Sequence, residues 1–193
     1  MKNKRPQLIF QNYDVISKFL VSVLETDVDR VIVNSKNTYE TVLEYLKKIG
    51  KENVEVVLNE NEDLTQMHDI AEQIEEMKDR KIWLKCGGFI TIDKIEALTA
   101  IDINSGKFTG KKNSSKENTI YKVNQEATVE IAKQLRLRNI SGIIVIDYID
   151  MEEEQDRKNI MNLLEKELKK DRSKTQIMGF TKLDLLEMTR KKL

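Results

Sequence analysis

Two short apolar runs, Leu98-Thr99-Ala100-Ile101 and Ile143-Ile144-Val145-Ile146, each end in an aspartate, Asp102 and Asp147. Between them, from Asn118 to Arg138, the residues Ile120, Val123, Ala127, Ile131 and Leu135 recur at the spacing of one helical face. Strand, long helix and strand in that order cannot form a hairpin, so the crossover, ended by Gly142, calls for parallel pairing. The second run is apolar without alternation, as expected of a strand covered on both faces. The result is an α/β arrangement with two strand ends side by side and an acid at each.

The rest of the chain fits around this unit. Leu8–Phe10 reads as a strand, and Val15, Ile16, Phe19, Leu20, Val23 and Leu24 as a helical stripe. A strand at 30–34, an N-capped helix from about Asn37 to the stop at Gly50, and a strand at 54–58 complete a βαβαβ-like segment. The charged stretch from Glu62 to Lys78 places Leu64, Met67, Ile70, Ile74 and Met77 three or four apart, which predicts an amphipathic helix. Ile82 and Leu84, the pair Gly87-Gly88, then Phe89, Thr91 and Asp93 read as strand, turn and strand. A charged helix over 152–170, a strand over 175–180 and an ambiguous segment at 183–188 follow. Asp150 reads as the N-cap of the charged helix. The predicted organisation is two parts, 1–78 and 79–193, with antiparallel and parallel pairing mixed in the second.

Lysine and arginine balance aspartate and glutamate at 33 each in 193 residues, yet the two parts differ. Residues 1–78 hold 10 basic and 15 acidic side chains, and residues 79–193 hold 23 and 18, so the second part is the better match for a polyanion. One cysteine, Cys86, excludes an internal disulfide and a cysteine-based zinc site. No apolar run reaches the roughly 18 residues of a membrane span, and no signal peptide is legible, so a cytoplasmic location is expected.

Asp102 and Asp147 carry the chemistry. Read singly, each is more often a turn or cap residue closing a strand. Side by side, they would repel unless a proton or cation sits between them, and an all-oxygen donor set suits magnesium, or manganese, over zinc. Asn104, two residues after Asp102, points to the same face of an extended strand, where a neutral amide can orient a carboxylate or meet a phosphate oxygen. The sole histidine, His68, rules out a histidine pair acting as general acid and base, so any nuclease reading must depend on a metal.

In IEALTAIDINSGKF (95–108), EIAKQLRLRNISGIIVIDYIDM (130–151) and LLEMTRKKL (185–193) the chain resembles the ribonuclease E/G family, and RPQLIFQN near the start resembles the segment that precedes the family's catalytic part. The resemblance implies an RNase H-like segment at 1–78 packed with a DNase I-like catalytic subdomain at 79–193. It implies magnesium-dependent hydrolysis of single-stranded RNA, leaving 5′-phosphate and 3′-hydroxyl ends, with Asp102 and Asp147 as metal ligands and Asn104 near the scissile phosphate. Lys107 stands where the family has a basic residue after its INS motif. Lys174 stands where some members place arginine beside the RNA 5′-phosphate, and Arg136 and Arg138 match QLRLR. S1-like and 5′-sensor segments and the zinc-sharing cysteine motif are not found, so this chain reads as the catalytic core of a longer architecture. The resemblance leaves a homo-oligomer open for the full-length protein, and zinc-linked assembly is not expected of this chain.

Lys107, Lys111, Lys112 and Lys116 fall between the two acid-bearing strands, where a positive loop can track an RNA backbone or simply stay solvated. Arg136 and Arg138 can equally pin a helix end to the sheet. Phe108 and Tyr148 can stack on bases or pack in the core. Two further readings stand beside the endoribonuclease: a non-catalytic RNA-binding or scaffold module of the same fold, and a magnesium phosphohydrolase acting on small phosphoesters. The paired acids argue against the first, and the surrounding lysines against the second.

Overall fold

The computed structural model describes residues 15–24, 28–67, 69–106 and 116–192. The chain divides into two compact units, Met1–Ile74 and Glu75–Leu193. In the first, helix α1 (Val15–Val23), strand β1 (Arg30–Val33), helix α2 (Lys36–Lys48) and strand β2 (Glu55–Leu58) follow in order. β1 and β2 pair in parallel, from Arg30 opposite Glu55 to Val33 opposite Leu58. Val42, Tyr45 and Leu46 on one face of α2 pack with Leu20, Leu24, Val33 and Val54. α2 starts at Lys36 after an extended Ser35, so Asn37 lies inside the first turn instead of capping it. Gly50, at φ 69°, turns the chain out of the helix in the left-handed conformation that glycine adopts without strain. The strand expected at Leu8–Phe10 and His68 lie outside the described residues.

The stretch from Glu62 to Lys78 is not one helix. It holds two short ones, α3 (Leu64–Met67) and α4 (Ile70–Glu76), with Asp69 between them at φ 53°. Neither buries a residue. An apolar stripe without a surface to pack on does not offset the cost of a continuous helix.

The second unit contains a six-stranded mixed sheet. Its strands are β3 (Lys81–Trp83), β4 (Phe89–Lys94), β5 (Leu98–Asn104), β6 (Gly142–Asp147), β7 (Thr175–Phe180) and β8 (Leu185–Arg190), in the order β3-β4-β5-β6-β8-β7. Only β5 and β6 pair in parallel, joined by the 22-residue helix α5 (Lys116–Leu137); helix α6 (Glu154–Leu168) connects β6 to β7. The ambiguous segment near 183–188 is β8, in which Leu186, Met188 and Arg190 alternate inward. Among the described residues, no helix is long and apolar enough to cross a membrane.

Both helices pack on one face of this sheet. Val123, Ala127, Ile131 and Leu135 of α5 and Ile160, Leu164 and Leu168 of α6 join Ile90, Ile101, Ile103, Ile144, Ile146 and Met188 in a single core. The expectation that β6 is covered on both faces is therefore corrected: Ile144 and Ile146 are buried, but Ile143 is 52% exposed and Asp147 is exposed. Ala100, Asp102 and Glu187 are exposed on the same side. One face of the sheet is core and the other is open.

Candidate active site

In the parallel β5–β6 ladder Asp102 lies directly opposite Asp147. Alternation along each strand sends Ile101, Ile103 and Ile146 into the core and both aspartates to the open face. Asn104 shares that face, and its Nδ2 donates a 2.6 Å hydrogen bond to Asp102 Oδ2. This bond fixes one edge of the Asp102 carboxylate. Burial pushes the Asp147 carboxyl above the usual range, and the charges of Asp102 and then Asp150 raise it further. Two carboxylates that share a small space with a neutral amide form an oxygen-only donor set, and it fits a hard divalent cation. Among the described residues, no group of three or more His, Cys, Asp or Glu side chains is arranged to hold a metal.

The loop that follows Asp147 is clamped from beneath. The Asn124 side chain, fully buried on α5, donates to the Ile149 carbonyl at 2.8 Å and accepts from the Ile149 N–H at 3.2 Å. Tyr148 is buried, with its hydroxyl 3.0 Å from Thr128 Oγ1, so it is a core residue and not a free stacking surface. Asp150 does not cap α6, which begins at Glu154 after Glu153 and has no side-chain cap bond. Its charge bears on Asp147 instead. Sequence reasoning missed this because an acid just before a helix has an ordinary explanation as a cap.

The end of β5 is held by glycine. A Cβ on Gly88 would lie 2.8 Å from the Asn104 carbonyl oxygen and 3.1 Å from Val123 Cγ1, and one on Gly106 would lie 2.5 Å from the Gly87 carbonyl oxygen. The β3–β4 turn thus presses against the backbone of Asn104, which only glycine permits. Cys86 beside it is half-buried; burial pushes its thiol up, and Glu126 adds to the rise.

Of the candidate basic residues that are described, Arg136, Arg138 and Lys174 do not converge on the acids. The crossover takes α5 from the acid-bearing end of β5 back to the start of β6, so its C-terminal end lies at the opposite edge of the sheet from Asp147. There Arg138 Nε donates to Gln134 Oε1 at 2.7 Å and Nη1 to the Asp79 carbonyl at 2.8 Å, while Arg136 Nη1 reaches the Glu167 carbonyl at 3.4 Å. Lys174 is exposed at the same edge, one residue before Thr175, which pairs with Arg190. Lys107, Phe108, Lys111 and Lys112 lie outside the described residues, as does the side chain of Lys116.

Arg190 is a buried cation that the sequence did not reveal. Its Nε and Nη2 grip Asp171 at 2.7 and 3.1 Å, and its Nη1 donates to Asn139 Oδ1 and the Ile140 carbonyl at 3.0 and 2.9 Å. It ties the entry to β6 to the α6–β7 connection, so the closing LLEMTR segment has a structural role.

Fold and site together define a mixed α/β protein with register-matched strand-end carboxylates on an open sheet face. The sequence matches the Ribonuclease E/G family over residues 1–193, and the chain belongs to that family. It is 40% identical over 196 aligned positions to proteins named ribonuclease G from Salmonella typhimurium (strain SL1344) and Escherichia coli (strain K12), covering 99% of this chain and 40% of each relative. It is 36% identical over 194 positions to a protein named ribonuclease E from Nostoc sp. (strain PCC 7120 / SAG 25.82 / UTEX 2576), covering 98% of this chain and 28% of that one. The chain thus spans 40% or less of the length of these curated relatives.

Proposed function

We propose that this chain carries the hydrolytic site of a metal-dependent endoribonuclease, in which Asp102 and Asp147 hold magnesium, with manganese as a substitute, against single-stranded RNA. The observation that carries this reading is the register of Asp102 opposite Asp147 on an open face. Bound there, the metal would supply Lewis acidity toward a phosphoryl oxygen and a water acidic enough to act as nucleophile near neutral pH. Asp102 is oriented by the Asn104 amide, and Asn104 in turn stands where it can meet a phosphate oxygen without adding negative charge. Attack of water on phosphorus with departure of the 3′-oxygen leaves a 5′-phosphate and a 3′-hydroxyl. In this reading residues 79–193 form the DNase I-like catalytic subdomain, residues 1–78 the RNase H-like segment, and the cytoplasm is the site of action. Lys107, Lys111 and Lys112 follow β5 in sequence and take the RNA backbone near the metal. Lys174 serves RNA held away from the cleavage point, and Arg136 and Arg138 act first in anchoring α5.

The test is magnesium-dependent cleavage of a labelled single-stranded oligoribonucleotide by the chain and by its Asp102→Asn and Asp147→Asn variants. Both variants are expected to lose cleavage while keeping the far-UV circular dichroism of the wild type. Equal cleavage by all three would refute the assignment. The second reading is an RNA-binding module without turnover, and it rests on there being no group of three or more His, Cys, Asp or Glu side chains arranged to hold a metal among the described residues. Saturable RNA binding by the wild type with no cleavage at any magnesium or manganese concentration would select it.

A further inference from the structure

The open face of the sheet carries a second cluster beside the acids. Trp83 on β3 is 62% exposed, and its ring meets Phe89 on β4 edge to face at 5.3 Å between centroids. Lys81 Nζ sits 3.9 Å from the Trp83 ring centroid and 3.7 Å from that of Phe89. The ladder registers link this cluster to the site row by row. Trp83 is opposite Phe89, and Phe89 is opposite Asn104; Lys81 is opposite Thr91, Thr91 opposite Asp102, and Asp102 opposite Asp147. Partners in adjacent strands lie about 5 Å apart, so Phe89 is one strand and Trp83 two strands, roughly 10 Å, from Asn104.

We propose that Trp83 and Phe89, with Lys81, form a base-stacking subsite that holds a nucleotide of single-stranded RNA next to the phosphate presented to Asp102 and Asp147. Every nucleobase has a π face, and an exposed indole packed against a second ring is a rigid platform for it. The ammonium over both rings marks their electron-rich faces and supplies a cation within reach of the backbone of a stacked nucleotide. A large aromatic left in solvent on a sheet face otherwise gains nothing from its exposure. The subsite also gives the acidic pair what it lacks, a neutral attraction for RNA beside two negative charges. The proposal rests on the endoribonuclease reading for its placement, but its test is separate.

Trp83 is the chain's one tryptophan, so intrinsic fluorescence reports on it alone. In magnesium-free buffer with a chelator, a single-stranded oligoribonucleotide is expected to quench this fluorescence saturably, whereas inorganic polyphosphate of matched charge is not. Affinity measured by anisotropy of a labelled oligoribonucleotide should fall about tenfold in Trp83→Ala and stay within about twofold in Trp83→Phe, the scale of one lost stacking contact. Equal affinity in wild type and Trp83→Ala, equal responses to RNA and polyphosphate, or no saturable RNA binding would each overturn the subsite. So would quenching by a partner protein under conditions where RNA gives none. Cleavage by Asp102→Asn and Asp147→Asn decides the hydrolytic reading independently: if those variants cleave normally, the hydrolytic assignment falls while the fluorescence titration still judges the stacking.

Discussion

Replacing Asp102 by asparagine tests what the acidic pair is for without any RNA. The β5–β6 ladder sets Asp102 and Asp147 side by side, about 5 Å apart at their Cα atoms. Two unit charges at that separation repel by roughly 0.8 kcal/mol at a dielectric of about 80 and roughly 3 kcal/mol at about 20. Both side chains are exposed, which favours the lower figure and adds screening by salt, so about 1 kcal/mol is the working value. Asp102→Asn keeps the shape and removes this repulsion. In metal-free buffer the variant should therefore be more stable than the wild type, with a melting temperature higher by roughly 2–6 °C.

Magnesium should reverse that order. A ligand that binds only the folded state stabilises it by RT ln(1 + [L]/Kd), about 1.4 kcal/mol at ten times Kd, and the variant loses one of two ligands. Thermal unfolding followed by circular dichroism, with potassium chloride at matched ionic strength as the screening control, reads both effects. The pH dependence has a defined sign. The Asp147 carboxyl is raised in the folded protein, so its ionisation works against folding as pH rises through the folded value. The metal-free advantage of Asp102→Asn should thus be present at pH 7 and vanish below the ordinary carboxylate range, near pH 4. An unchanged stability order with and without magnesium, or equal magnesium shifts in both proteins, would refute the argument.

Three structural predictions follow from the supports of the site. Arg190 and Asp171 are 0% and 1% exposed, so Arg190→Met should cost about 3–5 kcal/mol in urea unfolding, and Arg190→Met with Asp171→Leu should recover most of it. Burial pushes Asp171 up, but bonds from Arg190 and from the Ser173 N–H outweigh it and hold the carboxyl low. That stabilisation is complete above about pH 4 and is lost as pH falls through the folded value, so the gap to Arg190→Met should narrow in acid. Gly88→Ala should cost about 1–3 kcal/mol and depress cleavage, because its Cβ meets the Asn104 backbone at 2.8 Å; a melting temperature and cleavage rate like the wild type's would count against the close approach. Asn124→Ala leaves the Ile149 N–H and carbonyl without their bonds, a cost of about 1–3 kcal/mol, and amide exchange at residues 148–150 should accelerate.

The pairing of the acids was legible because two signals coincide in the sequence, an apolar run ending in Asp and a helical stripe long enough for a crossover. Parallel register then follows from the crossover, and alternation carries Asn104 to the same face. What could not be read was one-sidedness. Ile143 to Ile146 are apolar without interruption, so periodicity cannot say that Ile143 is 52% exposed while Ile144 is buried. Coverage depends on where α5 and α6 pack, and both pack on the same side. Arg190 was hidden for the opposite reason: an arginine followed by lysines looks solvated, and only its partners far away in sequence, Asp171, Asn139 and Ile140, make it a core residue. The stripe at 64–77 gave a helical period, but a period predicts a continuous helix only when a partner surface exists.

The same crossover that joins the acids also separates them from Arg136 and Arg138, and this division bears on how RNA is held. α5 leaves the acid-bearing end of β5 and delivers Arg136 and Arg138 to the far edge, where their guanidinium groups bond within the protein. Lys81, two strands from Asp102, rests on aromatic rings, while Arg80 pairs with Asp93 and also feels the charge of Asp102. A carboxylate outside an ion pair keeps its negative charge available to a metal, because a salt-bridged one would have to give up its partner first. Affinity for RNA must then come from elements placed around the pair and not within it. A stacking surface one to two strands away meets that requirement with neutral rings.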